Sequence, residues 1–280
     1  MKVLPFKIPK PEEDGLIFQV DSSTLFYDKL HQHEEIQISF ISQGGGTLVI
    51  GDSINRFTKN DILIIGSNLP HVFKSDNNAT TKSHMLSLFF TKTSFGNLFF
   101  ELEELKEVSL FFKRAKYGFK ITSQIKLVKE LFFELESASK FNRFLILLKL
   151  LKIASNCQYE SLTSFIYDKK YSDNEGYRMR NVFEFTMNNF EKEITLNTIA
   201  AIANMSKNAF CKYFKKRTNK TYIQFLNELR IEHACKLLAK NKDFSIIEIA
   251  EASGFNNISN FNRQFKSIKN TSPSRFKKEQ

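Results

Sequence analysis

Residues 196–216 read LNTIAAIANMSKNAFCKYFKK, and residues 246–267 read IIEIAEASGFNNISNFNRQFKS. Each stretch has a short apolar helix at the 3.6-residue period, a tight turn, and a second helix whose outer face is polar and basic. Asn204 in the first turn is matched by Gly254 in the second, and both residue types tolerate a left-handed backbone. The pattern predicts two helix-turn-helix units.

The second helix of each unit has one apolar face. The residues that should anchor it to the core are Phe210 with Phe214 in the first unit and Phe261 with Phe265 in the second. Ser206 and Asn257 stand just before these helices, where a short side-chain oxygen can accept a hydrogen bond from a free backbone amide. The opposite, outward faces carry hydrogen-bonding and cationic groups that suit base edges and phosphates.

A long helical stretch joins the two units. It reads TYIQFLNELRIEHACKLLAK (221–240) and contains Arg230, and the second unit is followed by TSPSRFKK (271–278). Together, residues 178–280 resemble the DNA-binding domain of the AraC/XylS family of transcription regulators. The resemblance implies a sequence-specific regulator, more often an activator than a repressor, that works with RNA polymerase. A rigid joining helix would place both reading helices in successive major grooves, so one domain should read an asymmetric site in double-stranded DNA.

The resemblance also indicates which residues of this sequence read bases. They are Asn208, Cys211 and Lys212 in the first unit and Ile258, Ser259, Asn262 and Arg263 in the second. Nearby basic residues and helix caps are expected to contact phosphates, and they are Ser206, Lys207, Lys215, Lys216, Arg217, Asn257, Lys266 and Lys269. Cys211 and Ile258 depart from the family pattern, which often has polar residues there. Cys211 could instead contact a thymine methyl group.

The charge of the sequence is concentrated in its last part. From Arg178 onward there are 19 Lys and Arg against 9 Asp and Glu, whereas residues 1–177 have 22 against 21. A local basic excess is the electrostatic signature of a polyanionic partner. The charge therefore supports DNA binding by residues 178–280.

Residues 16–90 contain short apolar runs separated by turn signals. The runs are LIFQV (16–20), EIQISFIS (35–42), GTLVI (46–50), DILIIG (61–66) and MLSLFF (85–90). Such runs predict a small antiparallel barrel or jelly roll. With Gly44 to Gly46 at a turn, Asn60-Asp61 before one strand and Pro70-His71 after it, the segment resembles the cupin-like sensor domain of many members of the same family. We assign residues 1–95 to this sensor barrel.

Four side chains of this segment carry recognisable chemistry: His31, His33, Glu35 and His71. We interpret them as effector-binding residues near the barrel mouth, because a barrel lined by apolar residues with a few polar groups suits a small molecule. Cupin enzymes bind a metal with similar residues, but they usually have a further carboxylate where this sequence has Phe40 and Ile41. We therefore assign no metal, cofactor or catalytic residue. The alternatives are a metal-dependent cupin enzyme fused to a DNA-binding domain, or an N-terminal domain that only dimerises.

Residues 96–167 have helical periodicity and should pack on the barrel or form a homodimer contact. The polar residues 168–177 predict a linker, followed by a helix from Arg178 to Phe190. The expected fold class is thus α+β: an antiparallel cupin-like barrel with accessory helices, then an all-α domain of two helix-turn-helices joined by a long helix.

The remaining sequence signals concern the compartment. Cys157, Cys211 and Cys235 are odd in number and lack the spacing of a disulfide framework or zinc site. The first residues lack the apolar core of an export signal, and FLILLKLLKIA (144–154) is too short and too charged to span a bilayer. We expect a cytoplasmic protein with no membrane partner.

Overall fold

The computed structural model describes residues 14–76, 82–164, 166, 172–240 and 243–279. The chain forms two compact units, Met1–Gly176 and Tyr177–Gln280. Across the residues that the model describes, none of the helices combines the length and the apolar content needed to cross a membrane.

Antiparallel strands build the N-terminal unit. The nine strands found among the described residues are β1 (Ile17–Ser23), β2 (Ile36–Gln43), β3 (Gly46–Ile50), β4 (Ser53–Phe57), β5 (Ile62–Ile65), β6 (His71–Ser75), β7 (Ser83–Phe90), β8 (Phe119–Ile121) and β9 (Tyr159–Ser161). One sheet has the order β1-β7-β2-β5-β8-β9 and the other has the order β4-β3-β6. The five predicted runs are β1, β2, β3, β5 and β7, whereas β4 and β6 are too polar and short to be recognised from their sequence.

Three α-helices follow the first seven strands: α1 (Ser109–Ala115), α2 (Ile125–Ser137) and α3 (Lys140–Asn156). They pack on the outer face of the larger sheet, because alternate residues of each strand point to opposite faces. Ile38 and Phe40 of β2 lie in one apolar core with Phe132 of α2. Ile41 faces the other way and joins Phe57 of β4 in a second core between the two sheets. The sheets therefore enclose this second core as the walls of a flattened barrel.

Residues 96–167 are less helical than their periodicity predicts. Two 3-10 segments, Phe99–Glu101 and Glu103–Val108, precede α1, and strands β8 and β9 lie on either side of α2 and α3. Phe119 of β8 pairs with Ile64 of β5 and is fully buried. Strands of three residues are too short to show a period, and the pairing with β5 determines their conformation.

Helices alone make up the described part of the C-terminal unit. They are α4 (Asp173–Asn189), α5 (Leu196–Ile202), α6 (Lys207–Thr218), α7 (Tyr222–Lys240), α8 (Ile246–Ala252), α9 (Ile258–Lys269) and α10 (Pro273–Lys278). α5 with α6 and α8 with α9 form the two predicted helix-turn-helices, and α7 joins them. Asn204 and Gly254 both have positive φ angles, 51° and 83°, as the turn chemistry requires. The predicted α+β fold class is confirmed.

The predicted linker differs from the structure at its C-terminal end. Residues 168–171 lie outside the described residues, but α4 already begins at Asp173, five residues before the predicted start at Arg178. The Ser172 hydroxyl accepts from the Glu175 amide at 3.4 Å, and the Glu175 carboxylate accepts from the Ser172 amide at 3.2 Å. This reciprocal pair is a capping box, which starts a helix even in a polar segment.

Candidate nucleic-acid interface and histidine cluster

α6 exposes most of the residues predicted to read DNA in the first unit. Phe210 and Phe214 are fully buried and fix the inner face of the helix. Asn208 and Lys212 consequently lie on the exposed face, and Cys211 is half-buried between the two faces. The Ser206 side chain accepts from the Ala209 amide at 3.4 Å, as expected of an N-cap. The exposed face therefore offers an amide and a cation on a firmly anchored helix.

α9 has the same arrangement in the second unit. Phe261 and Phe265 are fully buried, and Ser259, Asn262 and Arg263 are exposed. Ile258, the first residue of the helix, is 36% exposed and brings an apolar surface to this face.

Asn260 is a residue beside the exposed face of α9 that the sequence analysis missed. Its backbone amide donates to the Asn257 cap at 2.9 Å, and its side-chain oxygen accepts from the Arg263 guanidinium at 2.9 Å. Asn260 lies three residues before Arg263, so their side chains are neighbours on the helix surface. This hydrogen bond restricts the orientation of the Arg263 guanidinium group.

The predicted phosphate-contacting residues fall into two groups. Exposed side chains are those of Ser206, Lys207, Lys215, Lys216, Asn257 and Lys266, and Arg217 is half-buried. Lys269 differs, because its ammonium group lies 2.8 Å from the carboxylate of Glu232 on α7. Burial works to lower the pKa of Lys269, but the acidic groups around it, chiefly Glu232, together outweigh burial and keep the pKa above its usual value. Lys269 thus joins α9 to α7, and we remove it from the DNA-contacting set.

A corresponding ion pair stabilises the first unit. Lys220, just after α6, lies 2.7 Å from the carboxylate of Glu228 on α7. A lysine that pairs with an acid of α7 therefore follows α6 and ends α9. These two pairs connect α6 and α9 to α7.

Arg230 connects α7 to the segment between α4 and α5. Its Nε donates to the Phe190 carbonyl and its Nη2 donates to the Lys192 carbonyl, both at 2.8 Å. A Cβ atom on Gly254 would lie 2.6 Å from the same Phe190 oxygen and 2.9 Å from Arg230 Nε. Gly254 therefore serves both the left-handed turn and the close approach of this turn to the segment between α4 and α5.

Tyr222, the first residue of α7, belongs to an aromatic cluster. Its ring contacts Phe210 and Phe214 at centroid distances of 5.6 and 5.4 Å. The Thr186 hydroxyl donates to the Val182 carbonyl, so the Tyr222 hydroxyl must donate to Thr186 Oγ1, 2.8 Å away. Burial raises the pKa of Tyr222 to about 12.

The N-terminal unit brings together three of the four predicted effector-binding residues. His31, His33 and His71 are all buried, and a nitrogen from each ring lies within 4.8 Å of one from each of the others. Reciprocal backbone hydrogen bonds between His31 and His71, at 3.1 and 2.9 Å, hold two of the rings side by side. Glu35 is not part of this cluster, but its Oε2 atom lies 3.9 Å from His33 Nδ1.

A buried polar network extends the histidine cluster into the barrel. Gln37 lies 3.1 Å from His33 Nε2 and donates to Ser39 at 2.7 Å, and Ser39 contacts Ser87 at 2.7 Å. All of these side chains are less than 4% exposed. The sequence analysis missed Gln37, Ser39 and Ser87. The signal was present, because polar residues at alternate positions of an apolar strand indicate a polar patch on one sheet face.

Family models match both units of the chain. Residues 18–89 match the AraC-like ligand binding domain, and residues 199–279 match a helix-turn-helix domain. These matches cover the barrel strands up to β7 and the two helix-turn-helices. Both are domains of regulators, so the alternative of a cupin enzyme is not favoured.

Similar proteins include several transcription regulators. The helix-turn-helix transcriptional regulator YdeC of Bacillus subtilis is 29% identical over 104 residues, which are 37% of this chain and 35% of YdeC. A helix-turn-helix regulator of Pseudoalteromonas carrageenovora is 36% identical over 100 residues, 36% of this chain and 58% of that protein. The chain thus spans about a third to three fifths of these two relatives. The Msm operon regulatory protein of Streptococcus mutans is 24% identical over 246 residues, 86% of this chain and 84% of that protein.

A solved structure adds a DNA complex to the comparison. The DNA-binding domain of AdpA, described as a global transcriptional factor and solved in complex with a target DNA, is 26% identical. The similarity covers 35% of this chain and 87% of that domain, with a TM-score of 0.34.

Proposed function

We propose that this chain, which matches an AraC-like ligand binding domain and a helix-turn-helix domain, is a transcription regulator of the AraC/XylS type that acts by sequence-specific binding to double-stranded DNA. The observation that carries this proposal is the pair of helices α6 and α9. Each is anchored by two fully buried phenylalanines and capped at its start, and each exposes polar or cationic side chains on its outer face. Two such helices in one unit with a basic excess suit two major-groove contacts and the phosphates around them.

The proposed base contacts follow the chemistry of the exposed side chains. Arg263, held by Asn260, suits bidentate bonding to O6 and N7 of guanine, and the amides of Asn208 and Asn262 suit adenine. Ile258 is suited to a thymine methyl group, as is the half-buried Cys211. We assign the phosphate contacts to Lys207, Lys215, Lys216, Arg217 and Lys266 and to the helix caps Ser206 and Asn257.

We also propose how the protein reads its site as a whole. Successive major grooves on one face of DNA lie about 34 Å apart. If α7 holds α6 and α9 at this spacing, one chain reads two unlike boxes and the site is asymmetric. Such a site lies beside a promoter, where the bound protein would contact RNA polymerase, and the place of action is the cytoplasm.

The N-terminal unit is proposed to modulate this activity through a ligand or through dimerisation. α2 exposes Leu127 and Phe133, and α3 exposes Phe141 and Leu145, with Phe141 68% exposed. Large apolar side chains on neighbouring helices favour a contact with a second copy of the chain. Sedimentation equilibrium of the full chain and of Phe141→Glu tests this: a dimer that the substitution dissociates supports the contact, and a monomeric wild type contradicts it.

The experiment that tests DNA binding is selection of bound duplexes from a random library by the full chain at fixed salt concentration. Salt must be fixed because the sequence-independent attraction to phosphates falls steeply as salt rises. We expect enrichment of two boxes about one helical turn apart and different from each other. A pool that stays random at a salt concentration where binding persists would contradict the proposal.

A further inference from the structure

The histidine cluster of the N-terminal unit has the composition and tautomeric state of a metal site. We propose that His31, His33 and His71 bind a divalent first-row transition metal, with Zn²⁺ as the reference ion, through the Nε2 atom of each ring. This inference goes beyond the proposed function and does not depend on DNA binding.

The hydrogen bonds of the three rings indicate which nitrogen of each ring carries the proton. His31 Nδ1 lies 2.8 Å from the Lys29 carbonyl, and His71 Nδ1 lies 2.9 Å from the Leu69 carbonyl. His33 Nδ1 lies 2.8 Å from the carbonyl of Glu35. A carbonyl oxygen only accepts, so each Nδ1 must carry the proton and each neutral ring has its lone pair on Nε2. Histidine ligands of metals are usually oriented by a hydrogen bond of this kind.

The distances within the cluster are close to those of a coordination sphere. Between ring centroids, His71 lies 4.3 Å from His31 and 5.0 Å from His33, and His31 lies 6.0 Å from His33. Nitrogens bound to tetrahedral Zn²⁺ at about 2.0–2.1 Å are separated by about 3.3 Å. One nitrogen from each of the three rings lies within 4.8 Å of the other two. Side-chain rotations that move the ring nitrogens by roughly an ångström would therefore bring them to the distances of a metal site.

Gln37 also helps to position the His33 ring. Because His33 Nδ1 donates to a carbonyl, Nε2 of a neutral His33 is an acceptor, yet the Gln37 atom 3.1 Å from it is the amide oxygen. Rotating the Gln37 amide by half a turn places its NH₂ group against His33 Nε2 and its oxygen against the Ser39 hydroxyl, which would then donate to it. On metal binding the His33 lone pair would move from this amide to the metal. Gln37 would then be free to bond a water or ligand atom in the fourth coordination position.

Glu35 gives the independent second observation. Its Oε2 atom is buried and, among the described residues, has no hydrogen-bond partner. A buried carboxylate oxygen without a donor is costly unless a positive charge lies nearby. Glu35 Oε2 is 3.9 Å from His33 Nδ1, on the side of the ring away from Nε2. A cation bound to His33 Nε2 would therefore be balanced by Glu35 through the ring, as outer carboxylates do in metal sites.

The chemistry of the donors selects the class of metal. Three imidazole nitrogens suit Zn²⁺, Cu²⁺, Ni²⁺ and Fe²⁺, whereas Mg²⁺ and Ca²⁺ prefer oxygen ligands. Three protein ligands leave one position of a tetrahedral ion open to water or to a donor atom of a small molecule.

The test is metal titration of the full chain, produced without a polyhistidine tag and stripped with a chelator. Co²⁺ serves as the probe, because its visible absorption bands report tetrahedral coordination, and Zn²⁺ should displace it. We expect about one equivalent of Co²⁺ per chain and a rise in unfolding temperature on metal binding. His33→Gln and His71→Gln should lose both effects. His84→Gln is the matched control, because His84 lies in the same unit, on β7, outside the cluster.

Glu35→Gln tests the outer carboxylate without removing a ligand. Loss of such a partner lowers metal affinity by about ten- to a hundredfold. Glu35→Gln also replaces a histidine variant in the test if that variant does not fold. The proposal is overturned if the wild type takes up no stoichiometric Co²⁺, or if the two cluster variants bind it as His84→Gln does. Unchanged affinity in Glu35→Gln would remove Glu35 from the site.

Discussion

Arg263 is the side chain for which the proposed base contact is most specific. It is exposed on α9 and held by Asn260. If it bonds guanine in a bidentate manner, Arg263→Ala should weaken binding to the selected site by about 1 to 3 kcal/mol and relax the preference at one base position. Fluorescence anisotropy with the selected duplex and its single-base variants measures both effects.

Lys216 on α6 is the matched control for this prediction, since it is equally exposed but assigned to a phosphate. Lys216→Ala should weaken binding to all duplexes alike. If Arg263→Ala also weakens binding to every duplex equally, Arg263 contacts a phosphate and not a base.

Lys266 and Lys269 lie on the same helix but have different environments. Lys266 is exposed, and Lys269 pairs with Glu232, which is only 8% exposed. Lys269→Ala should lower the free energy of unfolding by about 1 to 3 kcal/mol, because it leaves the Glu232 carboxylate buried without its partner. Lys266→Ala should leave stability unchanged and reduce the slope of log affinity against log salt by about 1.

Thermal unfolding and salt titrations of DNA binding measure these two properties for both variants. If Lys269→Ala keeps full stability and reduces the slope of log affinity against log salt, Lys269 contacts a phosphate.

Tyr222 predicts a loss of stability in alkali. Its pKa in the folded protein is about 12, raised by burial, whereas tyrosine in an unfolded chain ionises near pH 10. Between these values only the unfolded state loses the proton, so the stabilisation is complete below about pH 10 and is lost as the pH rises through about 12. The full loss amounts to about 2 to 3 kcal/mol.

Tyr222→Phe should remove this pH dependence. At neutral pH it should cost about 1 kcal/mol for the lost hydrogen bond to Thr186. Urea unfolding of both proteins from about pH 8 to about pH 11, followed by circular dichroism, gives the comparison. Parallel curves for the two proteins over that range would refute the assignment.

At the level of elements, the turns of the two helix-turn-helices are equivalent in backbone but not in surroundings. Asn204 and Gly254 both have positive φ angles, and only a Cβ on Gly254 would lie within 3 Å of Phe190 O and Arg230 Nε. Asn204→Ala should therefore cost about 1 to 2 kcal/mol, from the backbone conformation alone. Gly254→Ala should cost more than about 2 kcal/mol, because the α4–α5 segment must also move.

Calorimetric unfolding of the two variants measures the difference. Equal costs would mean that the contact of Gly254 with the α4–α5 segment is not tight in solution.

The helices of the C-terminal unit could be predicted from sequence because each has a strong local signal. The phenylalanine pairs, the caps Ser206 and Asn257, and the turn residues are all close to one another along the chain. β8 and β9 were not predictable in this way, since Phe119 is placed by its pairing with a strand more than fifty residues earlier. The Lys269–Glu232 pair could not be predicted either. A basic residue in a basic helix does not indicate a partner on another helix.

The histidine cluster illustrates a similar limit. The sequence identified His31, His33 and His71 as a set, and the structure brings their rings together. The tautomers could not be read from sequence, because they depend on the carbonyls of Lys29, Leu69 and Glu35. Gln37 was detectable only as a polar residue in an apolar strand.

On the scale of the whole molecule, charge and chemistry are divided between the two units. The C-terminal unit has the basic excess, the exposed faces of α6 and α9 and the two lysine–glutamate pairs that connect these helices to α7. The N-terminal unit has nearly balanced charge and encloses a polar network around its histidines. This division favours a protein in which one unit binds DNA and the other responds to a ligand or a second copy.

We propose that α6 and α9 of a single chain read two different boxes, and duplex selection with variants of each helix is the decisive measurement. The selection is repeated with Asn208→Ala/Lys212→Ala in α6 and with Asn262→Ala/Arg263→Ala in α9, beside the wild type. We predict that each double variant loses the preference in one box and keeps the other, and that the two variants lose opposite boxes. Two boxes that survive unchanged in both variants, or that weaken together in each, would contradict the account.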